Sequence, residues 1–132
     1  YRDEPLKYNV RIPKSVTVYV GNELAEFDRE AAENLASVEK CENEFWVTYA
    51  GTLGTSYDIA TLIRAADILK KQGVDNLRIV LLGDGPLRPE FERVAAECAG
   101  NVTFVGYVPH ALMAAYLLMN FIHSEDPFWF LK

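Results

Sequence analysis

The chain has 132 residues, 50% of them hydrophobic, enough to bury one core and too few for two full domains. Thirteen Lys and Arg against nineteen Asp and Glu leave a net charge of −6 spread along the sequence, which argues against the clustered cations of a nucleic-acid-binding surface. No run approaches the roughly 18 consecutive apolar residues of a membrane helix, and no basic-then-apolar signal segment opens the chain, so the expectation is a soluble, cytoplasmic protein.

Residues 1–15 are polar, charged and interrupted by Pro5 and Pro13, and read as a linker or arm. The first residue is Tyr1 rather than methionine, which suggests a segment of something longer. Val16 to Val20 is a β-branched and aromatic run closed by Gly21 and Asn22, the pattern of a strand and turn. From Asp28, Ala31, Leu35 and Val38 recur at helical spacing with Phe27 just ahead, predicting a one-faced surface helix.

Three strand–helix repeats follow. Phe45 to Ala50 is predicted as a strand running into Gly51. A helix from about Tyr57 to Lys71 places Ile59, Leu62, Ile63, Ala66 and Leu69 on one stripe, with Gly73 suited to a left-handed C-terminal residue. Leu77 to Leu82 is nearly all apolar, as expected for a strand covered on both faces. Pro89 opens the next helix, where its missing N–H is harmless; Phe91, Val94, Ala95 and Cys98 form its buried face, and Gly100 ends it. Val102 to Val105 is the third strand, and a helix apolar almost all round runs from about Ala111 to Ile122. Such alternation implies parallel strands with right-handed crossovers and ligand loops at their C-terminal ends. The fold class is therefore α/β, a Rossmann-like three-layer sandwich with a mostly parallel sheet, of which three strands make about half. The aromatic tail from Asp126 to Lys132 is expected to pack on an exposed sheet edge or on a second copy of the chain, giving a homo-oligomer.

Every glycine-rich turn falls at a strand's C-terminal end. Gly51, Thr52 and Gly54 lead toward a helix N-terminus, where free N–H groups and the helix dipole favour a phosphate; an ordinary glycine turn is the alternative. The P-loop and the G-x-G-x-x-G dinucleotide order are both absent. In Gly83, Asp84, Gly85 and Pro86, Asp84 is either an acceptor for a ribose or sugar hydroxyl or a solvated turn aspartate. Gly106, Tyr107, Val108 and Pro109 offer amides and a ring to a nucleotide base, or a tyrosine packed over the sheet edge. Arg88 is either a phosphate contact or a surface arginine at a helix start. Neither His110 nor His123 stands near a nucleophile or carboxylate pair, so no catalytic residue and no metal site is assigned. Cys41 and Cys98 lie far apart outside any C-x-x-C motif and read as buried free thiols.

Three ordered motifs carry a resemblance: Val47-Thr48-Tyr49-Ala50-Gly51-Thr52-Leu53-Gly54, then Leu82-Gly83-Asp84-Gly85-Pro86-Leu87, then Asn101 to Pro109. Together they resemble the group 1 glycosyltransferases, and the piece from Val18 to Asp28 is similar to the segment leading into that family's C-terminal domain. The resemblance spans about Val16 to Leu118 and makes residues 16–132 a partial GT-B C-terminal, nucleotide-sugar-binding domain. It implies metal-independent transfer from a nucleotide-diphospho-sugar, a substrate rather than a cofactor, in bacterial-type enzymes that often build surface polysaccharides. Peripheral attachment of the full-length protein to the inner face of the membrane is compatible with that setting.

By the same resemblance, Gly51, Thr52 and Gly54 lie beside the donor diphosphate, and Gly83 to Pro86 with Gly106 to Pro109 line the nucleoside side. Many members place an arginine after the first glycine and a lysine before the helix; here stand Thr52 and, near the second position, Tyr57 and Asp58. The family's later E-x-x-x-x-x-x-x-E pair has no counterpart. The isolated chain is therefore expected to be inactive in transfer. The alternative is a non-catalytic truncated module that self-associates to complete its sheet, and a nucleotide-sugar epimerase of the same architecture is a weaker third reading.

Overall fold

The computed structural model describes Gly21, residues 23–41 and residues 43–120. The expected arm, the strand at Val16–Val20, His123 and the aromatic tail lie outside the described residues. Within them the order is α1 (Leu24–Asn34), a 3₁₀ turn (Leu35–Ser37), β1 (Phe45–Ala50), α2 (Ile59–Lys71), β2 (Leu77–Leu82), α3 (Arg88–Ala96), β3 (Asn101–Gly106) and α4 (His110–Leu118).

The three strands form one parallel sheet in the order β1-β2-β3. Two successive crossovers of the same hand and direction put α2 and α3 on the same face. Side chains alternate along a strand, so β2 splits its apolar run between two cores. Ile79 and Leu81 meet Ile59, Ile63 and Ala66 of α2 and Phe91 and Val94 of α3. Val80 and Leu82 point the other way, to Trp46, Val38 and Ala115. That second face is covered by α4, with α1 packed on α4. The layers are thus helix, sheet, helix, the Rossmann-like sandwich expected from the sequence. Being clasped between the sheet and α1 explains why α4 is apolar almost all round; Ala114 and Ala115 are wholly buried there.

Local signals set most boundaries. Gly73 leaves α2 with φ +90°, and Pro89 sits in the first turn of α3. β3 carries one extra residue, so that Leu81 pairs with Phe104 but Leu82 pairs with Gly106; such a bulge re-aims the strand end. Several expectations shift. The helix expected to hold Cys98 and stop at Gly100 ends at Ala96, and the one expected over Ala111 to Ile122 spans His110–Leu118. The first helix begins at Leu24 rather than Asp28, its first turn closed by the Phe27 N–H donating to the Glu23 carbonyl at 3.0 Å. The second helix begins at Ile59 rather than Tyr57, because Asp58 serves as its N-cap. The thiols are not both buried: Cys98 packs half-buried on the first core, whereas Cys41 is exposed in the loop before β1.

The end of the sheet opposite the glycine turns is pinned by ionic contacts. The Glu44 carboxylate accepts from Arg78 Nη2 at 2.6 Å and Nε at 2.9 Å, and from Trp46 Nε1 at 2.8 Å. Arg78 Nη1 also donates to the Thr103 hydroxyl at 3.0 Å, so the cluster crosses all three strands. Arg78's hydrogen bonds, and then that of Trp46, outweigh burial and hold the Glu44 carboxyl below the usual carboxylate range. Lys40 Nζ donates to the Met119 carbonyl at 2.7 Å, placing a cation at the C-terminus of α4 where the helix dipole favours it.

Candidate functional site

Parallel strands bring their C-terminal ends to one edge, and the three turns that follow are cross-bonded there. Gly51 N–H donates to Leu82 O at 3.0 Å and Gly83 N–H to Gly106 O at 2.6 Å. Leu53 N–H donates to Asp84 O at 3.0 Å, and Leu87 N–H donates to Leu53 O at 3.0 Å. Leu53 itself is 0% exposed, a hydrophobic plug that fixes the first turn onto the core. The amides of Thr52 and Asp84 are next in line at the rim and take no part in that ladder.

Two glycines make the close crossing possible. Gly83 has φ +116°, and a Cβ there would lie 3.0 Å from the Gly51 carbonyl carbon and closer still to its oxygen. A Cβ on Gly85 would lie 2.7 Å from the Leu53 carbonyl carbon and 2.8 Å from its nitrogen. Only a residue without a side chain lets these backbones approach so nearly.

Above the crossing lies a crevice of about 340 Å³ lined by Ala50, Gly51, Thr52, Leu82, Gly83, Asp84, Tyr107, Val108 and Met113. Six candidates from the sequence therefore converge: Gly51, Thr52, Gly83, Asp84, Tyr107 and Val108. Gly54 lines a neighbouring depression instead, with Tyr49, Ser56 and Tyr57. Gly85, Pro86, Gly106 and Pro109 line neither. They belong to the frame beneath, and Pro109 is the residue before α4. Sequence reasoning missed Ala50, Leu82 and Met113. The first two are the last strand residues before each glycine, a positional signal that was there to be used. Met113 arrives from α4, which no local pattern announces.

The crevice is nearly neutral in its own side chains. Asp84 is its one ionisable carboxyl; Oδ1 accepts from the Gly85 amide at 2.7 Å, and Arg88 Nη1 stands 3.3 Å from Oδ2. Arg88 in turn donates to Glu92 at 2.8 Å, and Glu92 first, then Asp84, hold its guanidinium above its ordinary value. Arg88 is thus paired with carboxylates of its own turn and helix. At the N-terminus of α2, the Asp58 carboxylate accepts from Thr61 N–H at 3.0 Å and from the Thr61 hydroxyl at 2.7 Å. Those bonds hold the Asp58 carboxyl below its usual range. The dipole end offered to a phosphate already carries a fixed negative charge.

Aromatic rings flank the first turn. Tyr49 donates its hydroxyl to the Thr52 carbonyl at 2.9 Å, and burial, then Tyr57, push its phenol up. Its ring meets Tyr57 edge to face at 5.8 Å. Tyr107, across the crevice, is 84% exposed. His110 is elsewhere, with Nδ1 at 3.0 Å from Glu30 and its ring edge-on to Phe27 at 6.1 Å, joining α4 to α1.

A parallel sheet between helix layers, with glycine turns framing a crevice at the strand ends, is a Rossmann-like α/β arrangement, and the crevice lies at the edge where such sheets take ligands. The family profile described as glycosyl transferases group 1 matches residues 30–123, a span that contains all three strands and the crevice. The chain belongs to the group 1 glycosyl transferases. No curated protein and no solved structure gives a significant match. No helix among the described residues is long and apolar enough to cross a membrane.

Proposed function

We propose that the crevice receives the nucleotide-diphosphate part of a nucleotide-sugar donor, and that the parent enzyme passes its sugar to an acceptor in bacterial surface polysaccharide synthesis at the cytoplasmic side. The observation that carries the donor reading is the convergence of three cross-bonded glycine turns on one crevice inside the span matched by the family. In this reading Gly51, Thr52 and Gly54 approach the diphosphate. Gly83 to Pro86 and Gly106 to Pro109 shape the nucleoside side, with Asp84 accepting from a ribose hydroxyl and Tyr107 facing the base. The polysaccharide setting rests on resemblance to bacterial-type members.

The isolated chain is proposed to bind donor weakly and to transfer nothing. Thr52 and the Tyr57-Asp58 pair stand where many members carry cations, and the residues lining the crevice include no Lys or Arg. Calorimetry with UDP, GDP, ADP and their sugars tests both halves. Weak binding of at least one, without sugar release, is expected. Silence toward all of them contradicts the donor site, and measurable transfer or hydrolysis contradicts the inactivity.

A second reading is a non-catalytic module that self-associates through a sheet edge. It is favoured by the outer edges of β1 and β3, which pair with no further strand among the described residues. Sedimentation of a concentrated sample showing only monomer contradicts it.

A further inference from the structure

The first turn is closed by a side chain. The Tyr49 hydroxyl donates to the Thr52 carbonyl three residues on, at 2.9 Å, while the Tyr49 backbone belongs to the pairing of β1 with β2. We propose that Tyr49 is a positioning residue for the diphosphate of the donor, acting through the Thr52 backbone and not by contact with the ligand. Thr52 lines the crevice and Tyr49 does not. The inference rests on the donor reading of the crevice and names the side chain that sets the shape of its diphosphate side.

The peptide that follows Thr52 is gripped at both ends. Leu53 N–H donates to Asp84 O at 3.0 Å, and the Thr52 carbonyl accepts from the Gly54 amide at 3.0 Å as well as from Tyr49. The Gly54 bond lies within the turn and moves with it. Tyr49 stands on β1, so its hydroxyl ties the orientation of this peptide to the sheet. Ahead of Thr52, the Gly51 amide donates to Leu82 O at 3.0 Å. The backbone is thus fixed on either side of Thr52, and its own amide and hydroxyl are left at the rim. Donors set in place before a ligand arrives spare the cost of ordering them on binding. That saving counts for more here because the residues lining the crevice include no Lys or Arg, so an anion there depends on backbone amides.

Tyr49 is itself fixed. Its ring packs on the first core and meets Tyr57 edge to face at 5.8 Å. Its hydroxyl lies 2.9 Å from where a Gly51 side chain would begin, so the absence of one opens the path by which the hydroxyl reaches Thr52. Burial pushes the phenol up, and it stays protonated and able to donate at neutral pH.

The test compares the full chain with Tyr49→Phe, which keeps the ring and removes the hydroxyl. UDP, GDP and ADP are titrated into each, and amide hydrogen exchange is followed without nucleotide. A nucleotide that the parent binds should bind the variant about two- to tenfold more weakly, the range for one lost hydrogen bond. The Leu53 and Gly54 amides should exchange faster in the variant by a similar factor, while amides at the Glu44–Arg78 end of the sheet keep their rates. A variant that binds the nucleotide as tightly as the parent overturns the positioning role and leaves the donor reading intact. Exchange that rises evenly over the whole sheet overturns it too, because the hydroxyl would then serve stability alone. No binding of UDP, GDP or ADP to the parent removes the donor reading and this inference with it.

Discussion

Replacing Gly83 with alanine is expected to be the most damaging of the glycine substitutions at the strand ends that add a single methyl group. The position has φ +116°, and holding a side-chain-bearing residue in so sparsely populated a region costs about 1–3 kcal/mol. The new methyl group would also sit 3.0 Å from the Gly51 carbonyl carbon and nearer to its oxygen. The obstacle is backbone, already engaged with β2 through the Gly51 amide, so it cannot rotate aside as a side chain would. Overpacking of this kind adds a further ~1–3 kcal/mol. The sum, about 2–6 kcal/mol, is a large part of a domain's usual 5–15 kcal/mol. Urea unfolding followed by circular dichroism reads the change. With a slope of about 1–3 kcal/mol per molar urea, the midpoint should fall by at least about 0.7 M. The matched control is Gly54→Ala, where the nearest atom to the added methyl is Thr52 Cγ2 at 3.8 Å and the change should stay within about 0.5 kcal/mol. Equal midpoints for the two variants would refute the backbone-crossing account of the strand ends.

Three other outcomes follow from the same contacts. Glu44→Gln should lower stability at neutral pH by about 1.5–3 kcal/mol through loss of charge-assisted bonds to Arg78 and the bond from Trp46. Because the folded-state pKa of Glu44 is depressed, its contribution is full above the unfolded carboxyl pKa and fades as pH falls through the folded one. The gap between parent and variant in urea midpoint should therefore shrink in acid, and a pH-independent gap would count against the Arg78–Glu44 clamp. Asp58→Ala should lower the urea midpoint as a lost N-cap, whereas Asp58→Asn keeps the cap and removes the charge. Nucleotide diphosphates titrated into the Asn variant should bind up to about fivefold more tightly if they sit near the end of α2. Leu53→Ala, which empties a fully buried site beneath the first turn, should cost about 2–5 kcal/mol by thermal or urea unfolding and broaden the Thr52 and Asp84 amide signals.

The sheet was legible because its strands carry the clearest physical marks. Leu77–Leu82 is apolar but for Arg78, since both its faces are covered, and Gly51, Gly83 and Gly106 at the strand ends stand where backbones cross. Helix boundaries were less legible where the deciding interaction is a single side chain. Asp58 reads as any surface acid until its carboxylate is seen on Thr61. The site was legible in its turns and not in its depth. Gly51, Gly83 and Tyr107 stand at strand ends, whereas Met113 reaches the crevice only because α4 folds back over β2. Likewise, nothing local in Tyr49 or Tyr57 announces that their rings meet and wall a second depression. Arg88 shows the reverse case, a cation next to a site motif whose partners turn out to be Asp84 and Glu92.

The most direct test of the donor site is an amide-resolved titration of the chain with UDP, GDP and ADP. Binding in the crevice predicts that one of them shifts Thr52, Asp84, Tyr107 and Val108 together, while the Glu44–Arg78 end of the sheet stays still. Shifts confined to that opposite end, or none with any of the three nucleotides, would contradict it.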